Sequence, residues 1–152
     1  MKVIALILLA LAAFSPALAG QAVSADPVAV ALLHSGIHDC PHCRLVGADL
    51  TNTCVKAHDL QGADFDGANA TLMCMSYADF RGASFRGTNL SAANLAHAKM
   101  AGADLTGAQM TITSLLGTDM SDVKGLTQKQ LDAACGDAQT RLPPGLKIHM
   151  CS

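Results

Sequence analysis

An all-β solenoid is the fold class this sequence predicts, and three regularities predict it. A Leu, Val, Phe, Met or Ala recurs at every fifth position from Leu45 to Met120, sixteen times without a miss. Two residues before it stands Ala, Thr or Cys at fourteen of the sixteen, and the pair that follows it often ends in Gly. With 51% apolar residues overall, sixteen in one fixed phase would arise about once in 50,000 trials, so the repeat outranks any local propensity.

A period of five fits neither the 3.6 of a helix nor the 2 of a plain strand, so the chain must turn at every repeat. The small and large residues, two apart, point to the same side of a short extended stretch. The next two round a corner, where glycine tolerates positive φ. The units Ala63-Asp64-Phe65-Asp66-Gly67, Ala78-Asp79-Phe80-Arg81-Gly82 and Ala103-Asp104-Leu105-Thr106-Gly107 carry the pattern most fully.

These units resemble the pentapeptide repeat family, whose signature is A(D/N)LXX. The resemblance implies a right-handed quadrilateral β-helix with four pentapeptides per turn, about four coils over residues 43–122. Residues twenty apart then become vertical neighbours at roughly 4.8 Å, for a solenoid about 20 Å long. On that geometry four columns fill the core. Leu45, Phe65, Phe85 and Leu105 line the first face; Leu50, Ala70, Leu90 and Met110 the second; Val55, Met75, Leu95 and Leu115 the third; Leu60, Phe80, Met100 and Met120 the fourth. Such columns predict a packed interior without a ligand cavity. Two residues break the small-residue rule. Met73 compensates the undersized Ala70 of the same coil, and His58 reads as a buried, hydrogen-bonded histidine beneath the N-terminal cap.

An open β-helix end needs a cap, and both flanks supply one. In residues 20–42, Asp26-Pro27 is an N-cap followed by Pro at the first helical position, with Val28 to Ser35 helical and Gly36 as the stop. In residues 123–152, Thr127 and Gln130 form a capping box, Leu126 and Leu131 a hydrophobic staple, and Gly136 follows the helix. The tail from Cys135 through Leu142-Pro143-Pro144-Gly145-Leu146 to Cys151 also resembles the closing segment of secreted family members. Ahead of these, residues 1–19 combine Lys2, an apolar run from Val3 to Phe14 and Ala17-Leu18-Ala19, the pattern of a secretory signal peptide cleaved after Ala19. The expected product is periplasmic or secreted, with no transmembrane segment in the mature chain. Six cysteines fit an oxidising compartment.

Without Lys2 the chain has 9 Lys and Arg against 12 Asp, a net of −3, and it has no Glu. That field is too weak to point to nucleic acid. Some cytoplasmic family members resemble double-stranded DNA and bind topoisomerase, which gives an alternative function. Such mimicry requires a long, strongly acidic rod and access to the cytoplasm, whereas here the outward column Asp59, Asp79, Lys99, Asp119 is mixed in sign.

Cys40-Pro41-His42-Cys43 has the spacing of a thiol oxidase motif, but Cys43 already occupies an inward slot of the first repeat, which favours a structural cystine. With His34, His38 and His42 the same pair offers zinc or copper ligands, although no further CxxC or HxxxH completes the set. A thiol-redox or metal-binding protein is thus the third functional reading. The repeat geometry puts Cys54 and Cys74 in outward slots one coil apart, within reach of a disulfide and neighbours whether or not they bond. Cys135 with Cys151 and Cys40 with Cys43 complete the pairing.

No nucleophile set, phosphate loop or paired carboxylate emerges, because the Asp residues recur at one outward slot. Neither catalysis nor a cofactor is expected. Leu72 and Ile112 share one exterior column and Tyr77 and His97 the next, with Leu116 nearby, forming the candidate interaction patch. The leading reading is a non-catalytic, exported scaffold that engages an unidentified protein of the bacterial envelope.

Overall fold

The computed structural model describes residues 24–36 and 39–152; the signal-peptide reading and His38 fall outside them. From Arg44 onward each five-residue unit contributes its polar residue to a parallel bridge with the residue twenty on: Arg44–Asp64–Ser84–Asp104 on the first face, Asp49–Asn69–Asn89–Gln109 on the second, Cys54–Cys74–Asn94–Ser114 on the third and Asp59–Asp79–Lys99–Asp119 on the fourth. The extended stretches are too short for conventional strands, yet each rung carries a full parallel pair. Asp64 N donates to Cys43 O at 2.8 Å, and Leu45 N donates to Asp64 O at 2.7 Å.

Corners repeat as strictly as rungs. Ala48 N donates back to Leu45 O at 3.0 Å, closing a four-residue turn whose third residue, Gly47, has φ +66°, as a type II turn requires. Every fifth residue from His42 to Gly117, sixteen in all, shares this left-handed backbone, and half of them are not glycine. The outward Asp or Asn serves the corner as well. Oδ1 of Asp49, Asp64, Asn89 and Asp104 accepts the amide of the residue two positions on, an Asx turn that explains why the polar slot favours these types.

Inside, the large residues of all four columns are buried. Phe65, Phe80 and Phe85 form one aromatic cluster with centroids 4.8 to 5.8 Å apart. Met73 fills its inward slot beside the small Ala70, both fully buried. Threonines in the small slot satisfy their hydroxyls on the preceding coil: Thr88, Thr113 and Thr118 donate to the carbonyls of Phe65, Leu90 and Leu95, each 23 residues earlier.

Helix α1, Pro27–His34, starts on Asp26, whose carboxylate accepts from Val28 N, and seats Ala29 and Leu33 against the core. The repeat phase also reaches one unit farther forward than residue 43, since Cys40 N and His42 N donate to Asp59 O and Gln61 O. At the other end the ladder passes residue 122. Lys124, Cys135 and Arg141 pair with Asp104, Ser114 and Asp119, building a partial fifth coil. Its second face is replaced by helix α2, Gln128–Asp132, which opens on the Thr127/Gln130 capping box. Gln130 Nε2 donates to the carbonyls of Leu105 and Ala108 at 2.7 and 3.0 Å, so a side chain satisfies the Ala108 acceptor that a fifth rung would have taken.

Candidate functional site

The four faces differ in chemistry. On the first and fourth, carboxylates recur, the second carries Asp49 alone, and these carboxylates are held by their own corners. The Thr51 hydroxyl and amide hold Asp49 below the usual carboxylate range, Thr106 does the same for Asp104 and Ser121 for Asp119. Cations neutralise the fourth face in place: Arg81 grips Asp79 at 2.8 Å, Lys99 reaches it at 3.6 Å, and Arg141 lies 3.6 Å from Asp119. On the third face the outward residues are Cys54, Cys74, Asn94 and Ser114, and Lys56 and His97 are the only basic side chains in its two flanking corners over the first four coils.

Corner composition sets this face apart. The columns Gly47, Gly67, Gly87, Gly107 and Gly62, Gly82, Gly102 use glycine for the left-handed position. The columns beside the third face are Asn52, Leu72, Ala92, Ile112 and Ala57, Tyr77, His97, Gly117, so seven of these eight carry a side chain at φ near +60°. For an L-residue that conformation costs roughly 1–2 kcal/mol, and for a β-branched residue such as Ile112 it is a true outlier. Leu72, Tyr77 and Ile112 project into solvent with 56%, 54% and 75% of their surface exposed. Their side chains therefore recover little of that cost by burial.

The five residues expected to form a patch all belong to these two corners. Leu72 and Ile112 stand on one rim; Tyr77, His97 and the half-buried Leu116 stand on the other. Tyr77 stacks on His97 with centroids 4.9 Å apart and an angle of 22°. Lys56 Nζ sits 5.9 Å from the Tyr77 centroid, and the His97 ring lies over Gly117, where an added methyl would overlap it.

The N-terminal candidates are placed differently. Cys43 is buried and Cys40 packs partly against the core, their Cα atoms 5.5 Å apart. The His42 ring covers Gly62, and His34 lies in the last turn of α1. Among the described residues no group of three or more His, Cys, Asp or Glu is placed to hold a metal ion, and no helix is long and apolar enough to cross a membrane. His58, expected to be buried, keeps 35% of its side chain exposed, with Nδ1 3.1 Å from Asp39 Oδ1. It sits at the edge of the first coil, where, among the described residues, 39–42 precede it on the ladder. Cys54 and Cys74, with Cα atoms 4.4 Å apart, and Cys135 and Cys151, at 4.9 Å, also lie at disulfide distance. The sequence singles out Leu72, Tyr77, His97, Ile112 and Leu116 as exterior side chains, but not that the first four share the left-handed backbone of the glycine corners.

A family model described as pentapeptide repeats matches residues 43–87, 74–111 and 88–124, together more than half of the chain. No curated protein sequence matches it. Among solved structures, the pentapeptide repeat protein Rfr23 from the cyanobacterium Cyanothece 51142 is 27% identical with a TM-score of 0.52, over 64% of this chain and 63% of that one. A pentapeptide repeat protein from Nostoc PCC 7120 is 28% identical with a TM-score of 0.28, over 84% of this chain and 93% of that one. QnrB1, a plasmid-mediated fluoroquinolone resistance protein, is 20% identical with a TM-score of 0.45, over 69% of this chain and 57% of that one. The chain thus spans less than two thirds of the length of Rfr23 and of QnrB1.

Proposed function

The chain belongs to the pentapeptide repeat family, and from that premise we propose that it is a non-catalytic, exported scaffold whose third face binds a protein of the bacterial envelope. Proteins of this family form right-handed quadrilateral β-helices and are generally non-catalytic, and the likeness to Rfr23 supports that fold here. One observation carries the binding reading: seven of the eight corner residues beside the third face keep side chains in a backbone conformation for which seven of the other eight corners use glycine. The rungs impose this strain, and residues kept in it cluster at functional sites. Export is supported by the Lys2, apolar run and Ala17-Leu18-Ala19 pattern and by cysteine pairs that suit an oxidising compartment.

The topoisomerase alternative has less support. Its acidic column is interrupted by Lys99 and met by Arg81 and Arg141, leaving no continuous anionic stripe to imitate a phosphate backbone. The thiol reading at Cys40 and Cys43 also loses ground, because Cys43 is closed into the core.

The test compares the mature chain with a variant carrying Leu72→Gly, Tyr77→Gly and Ile112→Gly. Capture from envelope extract should yield a protein that the variant fails to retain, while the variant melts no lower than the parent. Equal capture by both would remove the third face from the account. Intact mass of the exported product should begin at Gly20.

A further inference from the structure

We propose that Cys54 and Cys74 form a solvent-accessible disulfide that exchanges with thiols, making the centre of the third face a covalent docking point for a thiol-bearing ligand. The exchange does not depend on the partner reading, since a small thiol alone reports it.

Position singles out this pair. Both residues occupy outward slots on adjacent rungs, with Cα atoms 4.4 Å apart, and Cys54 is the one exposed cysteine of the six. Cys43 is buried, while Cys40, Cys135 and Cys151 are half-buried. Leu72 and Tyr77 stand on the rims to either side of Cys74.

The bond is also separable from the fold. Around it the ladder is complete without sulfur, since Cys74 N donates to Thr53 O at 2.9 Å and Val55 N to Cys74 O at 2.8 Å. The inward Val55 and Met75 are fully buried whatever the sulfurs do. Cys135 and Cys151, by contrast, anchor the closing tail, where Gly136 N donates to His149 O and Cys151 N to Gly136 O. Opening that pair would loosen the end of the stack.

Charge favours the approach. The attacking species in exchange is a thiolate, and the departing sulfur also leaves as one. In the first four coils no carboxylate lies in the outward column or the flanking corners of the third face, the nearest being Asp137 at the Gly117 end of the stack, and Lys56 supplies a positive charge two residues from Cys54. A thiolate reaching any other face would meet aspartates.

Exposure assigns the direction. An incoming thiolate attacks Cys54 Sγ and forms a new S–S bond with it. The Cys54–Cys74 bond breaks with its electron pair on Cys74 Sγ, which leaves as a thiolate and takes a proton from water. A second thiol attacking the mixed disulfide releases an external disulfide and leaves both cysteines reduced, so two thiols are oxidised as one cystine is reduced.

The experiment treats the full mature chain, oxidised at all three pairs, with rising reduced glutathione, then alkylates and maps the peptides. Cys54 and Cys74 should be labelled first, at several-fold lower glutathione than Cys135 and Cys151, with a cooperative melt retained. Earlier opening of another pair, or labelling that appears only as the chain unfolds, overturns the proposal. Because a single cysteine exchange could disturb folding, a second measurement uses Cys74→Ser and Cys54→Ser with oxidised glutathione, each checked for its melt. The thiol left at position 54 should form the mixed disulfide several-fold faster than that left at 74, and Lys56→Gln should slow it. Equal or reversed rates would refute the assigned direction of attack.

Discussion

Phe65 and Phe85 stack face to face one coil apart, with centroids 4.8 Å apart and ring planes within 11°. Phe80 meets both at their edges from the neighbouring face. The pair is fully buried at mid-stack, so Phe85→Ala empties volume that three rings share and should destabilise by about 3–5 kcal/mol. His58→Ala should cost under about 1 kcal/mol, because it restores a small residue at a partly exposed edge and leaves the Asp59 N to Asp39 Oδ1 bond in place. Denaturant melts rank the two. A larger loss for His58→Ala would contradict the inward register.

Thr53 tests the hydroxyl ladder from its missing end. Thr88, Thr113 and Thr118 each find a carbonyl 23 residues back, whereas the residue 23 before Thr53 is Val30, inside α1. The Thr53 hydroxyl is buried without a partner. Thr53→Ala should therefore be neutral or stabilising by about 1 kcal/mol, while Thr113→Ala should cost about 1 kcal/mol. Equal losses at both positions would mean that the Thr53 hydroxyl is satisfied in solution.

The inward columns were readable from the sequence because burial enforces them: a solenoid core admits one phase, and Leu45 through Met120 keep it. Corners were only half readable. Glycine announces a left-handed residue, but Leu72, Tyr77 and Ile112 adopt the same backbone against their own preference, imposed by the rungs on either side. Propensity could not predict that override. The fifth coil was hidden for another reason. Helix α2 inserts residues that break the five-residue count, so Cys135 and Arg141 pair at separations of 21 and 22, outside the period that revealed the rest. The half-exposure of His58 depends on what lies beyond the first rung, which no repeat pattern encodes.

Gly117 and His97 should behave as a coupled pair. An added methyl at Gly117 overlaps the imidazole that covers it, while at Gly67, which has the same left-handed φ, a methyl meets nothing within 4 Å. Gly67→Ala should thus cost the backbone term alone, about 1–2 kcal/mol. Gly117→Ala should cost more, because the ring must move and give up its stack on Tyr77. In a His97→Ala background the excess should vanish, leaving a coupling of about 0.5–1 kcal/mol in a double-mutant cycle. Additive losses would show that the ring does not rest on the glycine.

Acid should weaken the fold through carboxylates that the corners hold, and Asp79 is met by two cations, Arg81 and Lys99. The Arg81 side chain is the main cause of its lowered value, followed by the Arg81 amide and charge and by the Lys99 charge, against an opposing effect of burial. Arg81 donates from Nε and from its terminal nitrogen at 2.8 to 3.1 Å. A carboxyl whose folded value lies below its unfolded one contributes stability above the unfolded value, and that stability is lost as pH falls through the folded one. With Asp49, Asp104, Asp119 and Asp137 lowered as well, melting temperature should be level from neutral pH to about 5 and decline below about 4. Arg81→Ala raises the folded value of Asp79 toward the unfolded one. Its melting curve should lie below the parent at pH 7 and converge on it only as pH falls through the lowered folded value of Asp79, once the carboxyl is protonated in both. Parallel curves across that range would show that the Arg81 contribution is packing rather than charge.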